Sequence, residues 1–506
     1  MKYMKSYAVL SLRCIELVEM LKYNFLRFTI VITIFIAVSF VMLSVVEASA
    51  QTDNVDITIH LRGVYESKIS LLSLSGGRIF VSIIEMPGIK NGETTTFSVP
   101  GNSLPGEFVL RFDYKEKDLS TPYPSEKYIF INDQDLELWV NPIYCNNADS
   151  TYFQANEREN SSFVRFSNEN LKQKEQLGLL QTFLMNYDAP ESKFYQQGIL
   201  EYEHRRQTFN QWVMDQTLKD KALFVSSMYG FQYVQQISWN GDEFDRIKNL
   251  IDHYFDGIDL KNPFLIKTSD INKWMDNYVN LYGQLAITVA LRDSLFSEAG
   301  RTAIEKAKYG HPLVYGWMVD YFYRGYESNG MDAGMKILEP YLNDSTCLTF
   351  KRQEIARRLK GIETLIVGSK APDISIENEE GVLFELSAFA PNSDYILLLF
   401  WSADCSHCAE LADKIYPWYQ QTEVNKKLAI VAISLDDTDL DIKAWEQKKK
   451  ELTGWEHLHD TEGVRSKVAA DYYILSTPVM FLLDKDKKII AQPLNLEELT
   501  KTIENF

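Results

Sequence analysis

The chain has 506 residues, more than one hydrophobic core usually supports, so several domains are expected, and 45% hydrophobic residues is enough to give each a core. Its 52 basic residues are outnumbered by 70 acidic ones, and the net charge of −18 excludes a nucleic-acid binder, which needs clustered Lys and Arg to neutralise phosphates. Five cysteines are too few for a disulfide scaffold.

The first long apolar run is Phe28 to Val46, preceded by Lys22 and Arg27 and followed by Ala48-Ser49-Ala50 before Gln51. A positive flank, an apolar stretch and a small-x-small site read as a signal peptide over residues 1–50, cleaved after Ala50. The 19 residues ahead of Met20 add nothing such a signal needs, so Met20 is a candidate true start. At 19 residues the apolar run is also long enough to span a bilayer, and an uncleaved membrane tether is the alternative. Both readings place the remainder outside the cytoplasm, in the periplasm or cell envelope. No Cys follows the run closely, which argues against a lipoprotein, and Cys14 lies upstream of it.

Over residues 51–159 the pattern turns to short alternating runs: Val55-Asp56-Ile57-Thr58-Ile59-His60-Leu61, Thr96 to Val99, Phe108 to Phe112 and Leu136 to Val140. Turn signals at Gly76-Gly77, Pro100-Gly101 and Pro105-Gly106 punctuate them. The pattern predicts an all-β domain, a small antiparallel sandwich or barrel. Its only Cys is Cys145 and its only His is His60, so no catalytic site converges there and a docking or dimerisation role is expected.

Between 160 and 366 the apolar spacing becomes helical, as in Val314, Trp317, Met318, Tyr321 and Phe322 after Pro312, and an all-α domain is predicted. Trp212, Trp239, Trp274 and Trp317 read as core aromatics rather than a ligand stripe. Paired helices are expected at 313–327 and 332–342, without a fixed repeat period. Cys347 falls here. With Cys145 it reads as a pair of separate buried thiols rather than a disulfide, because free Cys behaves as a small hydrophobe.

The grammar changes again over 367–506. Strands are predicted near Val382–Leu386, at Tyr395–Trp401, Leu428–Leu435, Val479–Leu483 and Lys488–Ala491, with helices after Cys405, around Asp441–Leu452, near Val464–Asp471 and from Leu496. Strands alternating with helices imply a sheet covered on both faces. Strand Tyr395–Trp401 delivers Cys405-Ser406-His407-Cys408 onto the start of a helix. Two thiols spaced this way can close a small disulfide, and the helix N-terminus stabilises the thiolate of the first.

Gly368-Ser369-Lys370-Ala371-Pro372-Asp373, Phe400-Trp401-Ser402-Ala403-Asp404-Cys405-Ser406-His407-Cys408 and Ser476-Thr477-Pro478-Val479-Met480-Phe481 together resemble the TlpA/ResA-like branch of the thioredoxin superfamily. The resemblance implies a C-terminal α/β thioredoxin fold that exchanges thiols for disulfides, with Cys405 as nucleophile, Cys408 as the resolving thiol and a redox-active Cys405–Cys408 disulfide. It also implies a cis Thr477–Pro478 peptide facing the dithiol, where Thr477 could pair with an extended substrate segment. No cofactor is implied. The β-then-helical order ahead of the domain also resembles exported bacterial proteins that carry such a domain at the C-terminus.

Several residues tune that expectation. His407 sits between the cysteines, where an imidazolium would stabilise the Cys405 thiolate, whereas the negative charge of Asp404 would oppose it. Trp401 is expected to face the substrate. The family's usual Trp before the first Cys is Asp404 here, its Glu after the second Cys is Leu411 with Glu410 one position early, and the buried Asp common in thioredoxins is Leu399. Pro417 is expected to kink or end the dithiol helix. No Pro-x-x-x-Thr-x-x-Cys is present, against a peroxiredoxin.

The expected protein is an exported thiol-disulfide oxidoreductase acting on envelope proteins that carry disulfides and recharged by an upstream electron donor. One alternative is a copper or zinc protein using the two thiolates with His457 and His459. The other is a partner-binding protein with a vestigial redox domain.

Overall fold

The structure, a computed structural model, describes residues 53–75, 79–239, 241–377 and 381–504. The predicted signal over 1–50, the Met20 start, Cys14 and the Gly76-Gly77 turn lie outside the described residues. Among the described residues no helix is long and apolar enough to cross a membrane. Contacts divide the chain into two compact units, described over 53–75, 79–169 and 220–226, and over 170–219, 227–239, 241–377 and 381–504.

In the first unit, β1 (Val55–Leu61), β2 (Glu66–Ser75), β3 (Ile79–Lys90), β4 (Thr94–Val99), β5 (Gly106–Lys115), β6 (Tyr123–Ile131), β7 (Leu136–Val140) and β8 (Tyr152–Phe153) form two four-stranded sheets, ordered β4-β1-β7-β8 and β3-β2-β5-β6. Alternation explains the layering: Val55, Ile57, Ile59 and Leu61 of β1 are buried, and they share one core with Leu71, Leu110, Phe112 and Ile129 from the other sheet. The pairing corrects the purely antiparallel expectation in one place, because β1 runs parallel to β7. A parallel pair needs a long crossover, and the whole β2–β6 stretch supplies it. Residues 220–226 belong to this unit because the buried carboxylate of Glu159 accepts hydrogen bonds from Phe224 N and Val225 N, both at 3.0 Å.

In the second unit, helices at Lys193–Lys219, Asp270–Leu285, Val289–Lys308 and Pro312–Ser328 lead into Arg352–Thr364. Trp274 and Trp317 are buried in one aromatic-rich core with Tyr278, Phe322 and Tyr326, as expected, while Trp212 and Trp239 are half-buried. The helix predicted over 332–342 is two short ones, Asp332–Lys336 and Glu339–Leu342, since Pro340 suits the first turn of a new helix better than the interior of an old one.

The C-terminal segment is a thioredoxin-type layer. A hairpin of β9 (Ser375–Glu377) and β10 (Leu383–Glu385) precedes β11 (Tyr395–Trp401), β12 (Leu428–Ser434), β13 (Glu456–His459), β14 (Val479–Leu483) and β15 (Ile489–Ala491), which make a five-stranded sheet ordered β13-β12-β11-β14-β15. β11 is parallel to β12 and antiparallel to β14. Its Ile396, Leu398 and Phe400 enter one core with the short helix Lys467–Asp471, and its Leu397, Leu399 and Trp401 enter another with helices Ser406–Tyr419, Asp439–Glu451 and Leu496–Glu504. Both faces are therefore covered, which is why this strand reads as a continuous apolar run.

Leu398 is fully buried at the centre of the sheet. Leu398→Ala is expected to lower the stability of the C-terminal layer by about 2–5 kcal/mol through lost burial and a residual cavity, read as a reduced urea midpoint.

Candidate active site

Strand pairing brings the site together. β11 ends at Trp401, and its antiparallel neighbour β14 pairs Val479 with Phe400, so the Thr477–Pro478 peptide arrives beside the residues that follow Trp401. That peptide is cis. On the other side Trp401 pairs with Ser434, which places the chain after β12 next to the same turn.

Cys405 is the N-cap of helix Ser406–Tyr419, in an extended conformation with φ −82° and ψ 112°. A helix leaves its first N–H groups without intrahelical partners, and here Cys408 N donates to Cys405 Sγ at 3.3 Å. The Cys405 thiol in turn lies 3.5 Å from Thr477 O. Cys405 is half-buried, whereas Cys408, one turn into the helix, is 1% exposed. Burial pushes the Cys408 thiol well up from its ordinary value, and its hydrogen bond with Cys405 adds to the rise; the Thr477 side chain and the Ser402 main chain oppose it. All four cysteines among the described residues are free, and Cys145 and Cys347 are each buried. Burial likewise pushes the Cys347 thiol up, to about 11.

His407 and Asp404 are exposed, flanking Cys405 on the surface, and Thr477 and Pro478 are half-buried. Trp401 corrects the expectation of a substrate-facing residue. It is 1% exposed, because strand alternation puts it on the same face as Leu397 and Leu399, inside the core that holds Cys408. Leu399 is 1% exposed in that core, an apolar residue where thioredoxins commonly bury an Asp. Pro417 does not end the helix before it: the helix runs on to Tyr419, the missing N–H falling within its last turn.

His457 and His459 are the residues of the alternative metal reading. His457 Nε2 lies 2.9 Å from Leu452 O, and His459 Nε2 lies 2.8 Å from Asp436 O, while the His459 ring packs on Trp445 at 4.6 Å. Each imidazole thus spends a nitrogen on a main-chain oxygen. Among the described residues no group of three or more His, Cys, Asp or Glu is arranged to hold a metal ion.

Sequence reasoning missed Asp436. It lies two residues past the end of β12, is 1% exposed, and accepts from Ser402 Oγ, from Ala403 N at 3.0 and 3.1 Å, and from Ser434 Oγ at 2.6 Å. The available signal was the pair of polar residues, Ser434 and Asp436, at the end of the apolar strand predicted over Leu428–Leu435.

Residues 367–492 match the profile of the AhpC/TSA family. The C-terminal domain is a thioredoxin-like member of that family. It is similar to the thiol-disulfide oxidoreductase ResA of Bacillus thuringiensis subsp. konkukian, 27% identical over 147 residues that make up 28% of this chain and 78% of the relative. Among solved structures it is similar to a thiol-disulfide oxidoreductase from Bacteroides fragilis, at 33% identity over 27% of this chain and 98% of that one, with a TM-score of 0.25. The thioredoxin domain of a thiol-disulfide oxidoreductase from Bacteroides vulgatus matches at 29% identity over 28% of this chain and 98% of that one, TM-score 0.25.

Among the four described cysteines, brief treatment of the folded protein with iodoacetamide at pH 8 is expected to modify Cys405 alone. Burial of Cys145, Cys347 and Cys408 keeps those three unmodified until denaturant is added, as peptide mass spectrometry would read.

Proposed function

We propose that this protein is an exported thiol-disulfide oxidoreductase that reduces or exchanges disulfides of envelope proteins through Cys405 and Cys408. The observation that carries the reading is the asymmetric dithiol: a half-buried sulfur at a helix N-cap, and a second sulfur buried one turn behind it. Export is supported by the Phe28–Val46 apolar stretch with its basic flank and Ala48-Ser49-Ala50. The β and helical parts are read as the portions that place the dithiol or select its partner.

Each step balances within the dithiol. The Cys405 thiolate attacks one sulfur of a substrate disulfide, forming a Cys405–substrate bond, while the other substrate sulfur leaves as a thiolate and takes a proton from solvent. Cys408 then gives up its proton and attacks Cys405 Sγ. The Cys405–Cys408 disulfide forms and the second substrate thiol is released, so two electrons have passed to the substrate. Cys408 is well placed to wait: with its pKa raised by burial it stays a thiol until Cys405 is engaged. Thr477 O, 3.5 Å from the Cys405 sulfur, is a main-chain acceptor beside the dithiol, which supports pairing of Thr477 with an extended substrate segment. The resulting disulfide is reopened by an upstream dithiol donor.

Redox titration of the full chain against glutathione or dithiothreitol tests this. A reversible two-electron Cys405–Cys408 couple is expected, with a potential below about −220 mV for a reductase and one nearer −120 mV for an oxidant. Absence of any such couple, with both cysteines intact, overturns the reading in favour of partner or metal binding. Cys408→Ser is expected to accumulate mixed disulfides through Cys405 on non-reducing gels, and Cys405→Ser to abolish them.

A further inference from the structure

A buried carboxylate needs a reason, since taking the charge out of water is costly unless donors surround it. Asp436 is 1% exposed, and its donors are Ser402 Oγ, Ala403 N and Ser434 Oγ. Two of the three belong to the turn that ends in the dithiol. Ser434 Oγ further lies 3.3 Å from Asp436 N, where it accepts, so that serine locks the carboxylate to its own backbone. The other side of the turn is anchored by Leu435 N donating to Trp401 O at 2.9 Å.

Ser402 is the link to the sulfurs. Its carbonyl accepts from Cys405 N at 3.3 Å, closing a turn from Ser402 to Cys405. Its main chain also opposes the rise that burial imposes on the Cys408 thiol. A single serine therefore holds Cys405 through its carbonyl while its own hydroxyl is held by Asp436.

We propose that Asp436 is a positioning residue for the dithiol: through Ser402 Oγ and Ala403 N its carboxylate fixes the turn that sets Cys405 at the helix N-cap. This rests on the exchange reading and deepens it. Asp436 touches neither sulfur in the hydrogen-bond network, so its effect passes through the turn. Loosening the turn lets Cys405 leave the N-cap position in which Cys408 N donates to its sulfur, which disfavours the thiolate form and with it the reduced state relative to the disulfide.

Position and charge are separable by two variants of the full chain. Asp436→Asn removes the charge and turns one acceptor into a donor facing donors; Ser402→Ala keeps the charge and removes only the hydroxyl link. If the link positions the turn, both variants slow Cys405 alkylation by iodoacetamide at pH 7 and shift the equilibrium with glutathione toward the disulfide, each by about fivefold, the worth of one hydrogen bond. Circular dichroism establishes that each variant is folded, and Ser402→Ala, a small deletion, decides the matter should Asp436→Asn fail to fold. Folded Ser402→Ala with the parental alkylation rate and equilibrium overturns the proposal. So does faster alkylation in Asp436→Asn alone, the signature of a bare field effect. The alkylation rate reads the turn even if the parent shows no reversible couple with glutathione, an outcome that would defeat the exchange reading while leaving the positioning of Cys405 measurable.

Discussion

The central strand β11 is the constraint from which the site follows. Seven residues, Tyr395–Trp401, are hydrogen bonded to a parallel neighbour on one side and an antiparallel one on the other, with apolar cores above and below. Fully burying a large aliphatic or aromatic side chain contributes roughly 1.5–3 kcal/mol, so a strand with six buried apolar residues is held far more firmly than anything attached to its end. Its end point is therefore fixed, and the turn, the helix N-cap and the Thr477–Pro478 peptide are all referenced to it.

That rigidity lets the site keep two chemically identical groups in different environments. Cys405 caps a helix and meets the surface; Cys408 is enclosed by the core that also holds Leu399, Trp401 and Ala412. The difference arises from one helical turn and the covered face of the sheet, with no charged residue needed to create it. Asp436 adds a polar anchor to this mostly apolar frame. It satisfies the turn's N–H and hydroxyl groups, which would otherwise be stranded beside the core.

Much of this was legible in the sequence, for a physical reason. β1, β7, β11 and β14 have the predicted bounds because each is either strictly alternating or continuously apolar, the two patterns that report burial directly. β2, β3 and β6 went unread: β3 carries Pro87-Gly88 within its span, β6 begins at Tyr123-Pro124, and β2 mixes serines and charges with its buried Ile69 and Leu71. Pairing was less visible than strand content, since the parallel β1–β7 contact joins segments separated by most of the domain. At the site, the Cys-x-x-Cys motif carried its own position, while Trp401 was misread because motif adjacency said nothing of which face it occupies. Asp436 was missed for the complementary reason. Its partners Ser402 and Ala403 are more than 30 residues away and meet it only through the β11–β12 register.

The burial of Cys408 has a consequence for traffic through the domain. On the proposed exchange reading, a sulfur this deeply buried leaves Cys405 as the sole point of entry, for the substrate and for the partner that resets the dithiol alike. The two visitors must then use the same doorway, one after the other. A protein that exchanged disulfides through such a site would work by alternation, a ping-pong cycle in which donor and acceptor compete for one docking position beside Thr477.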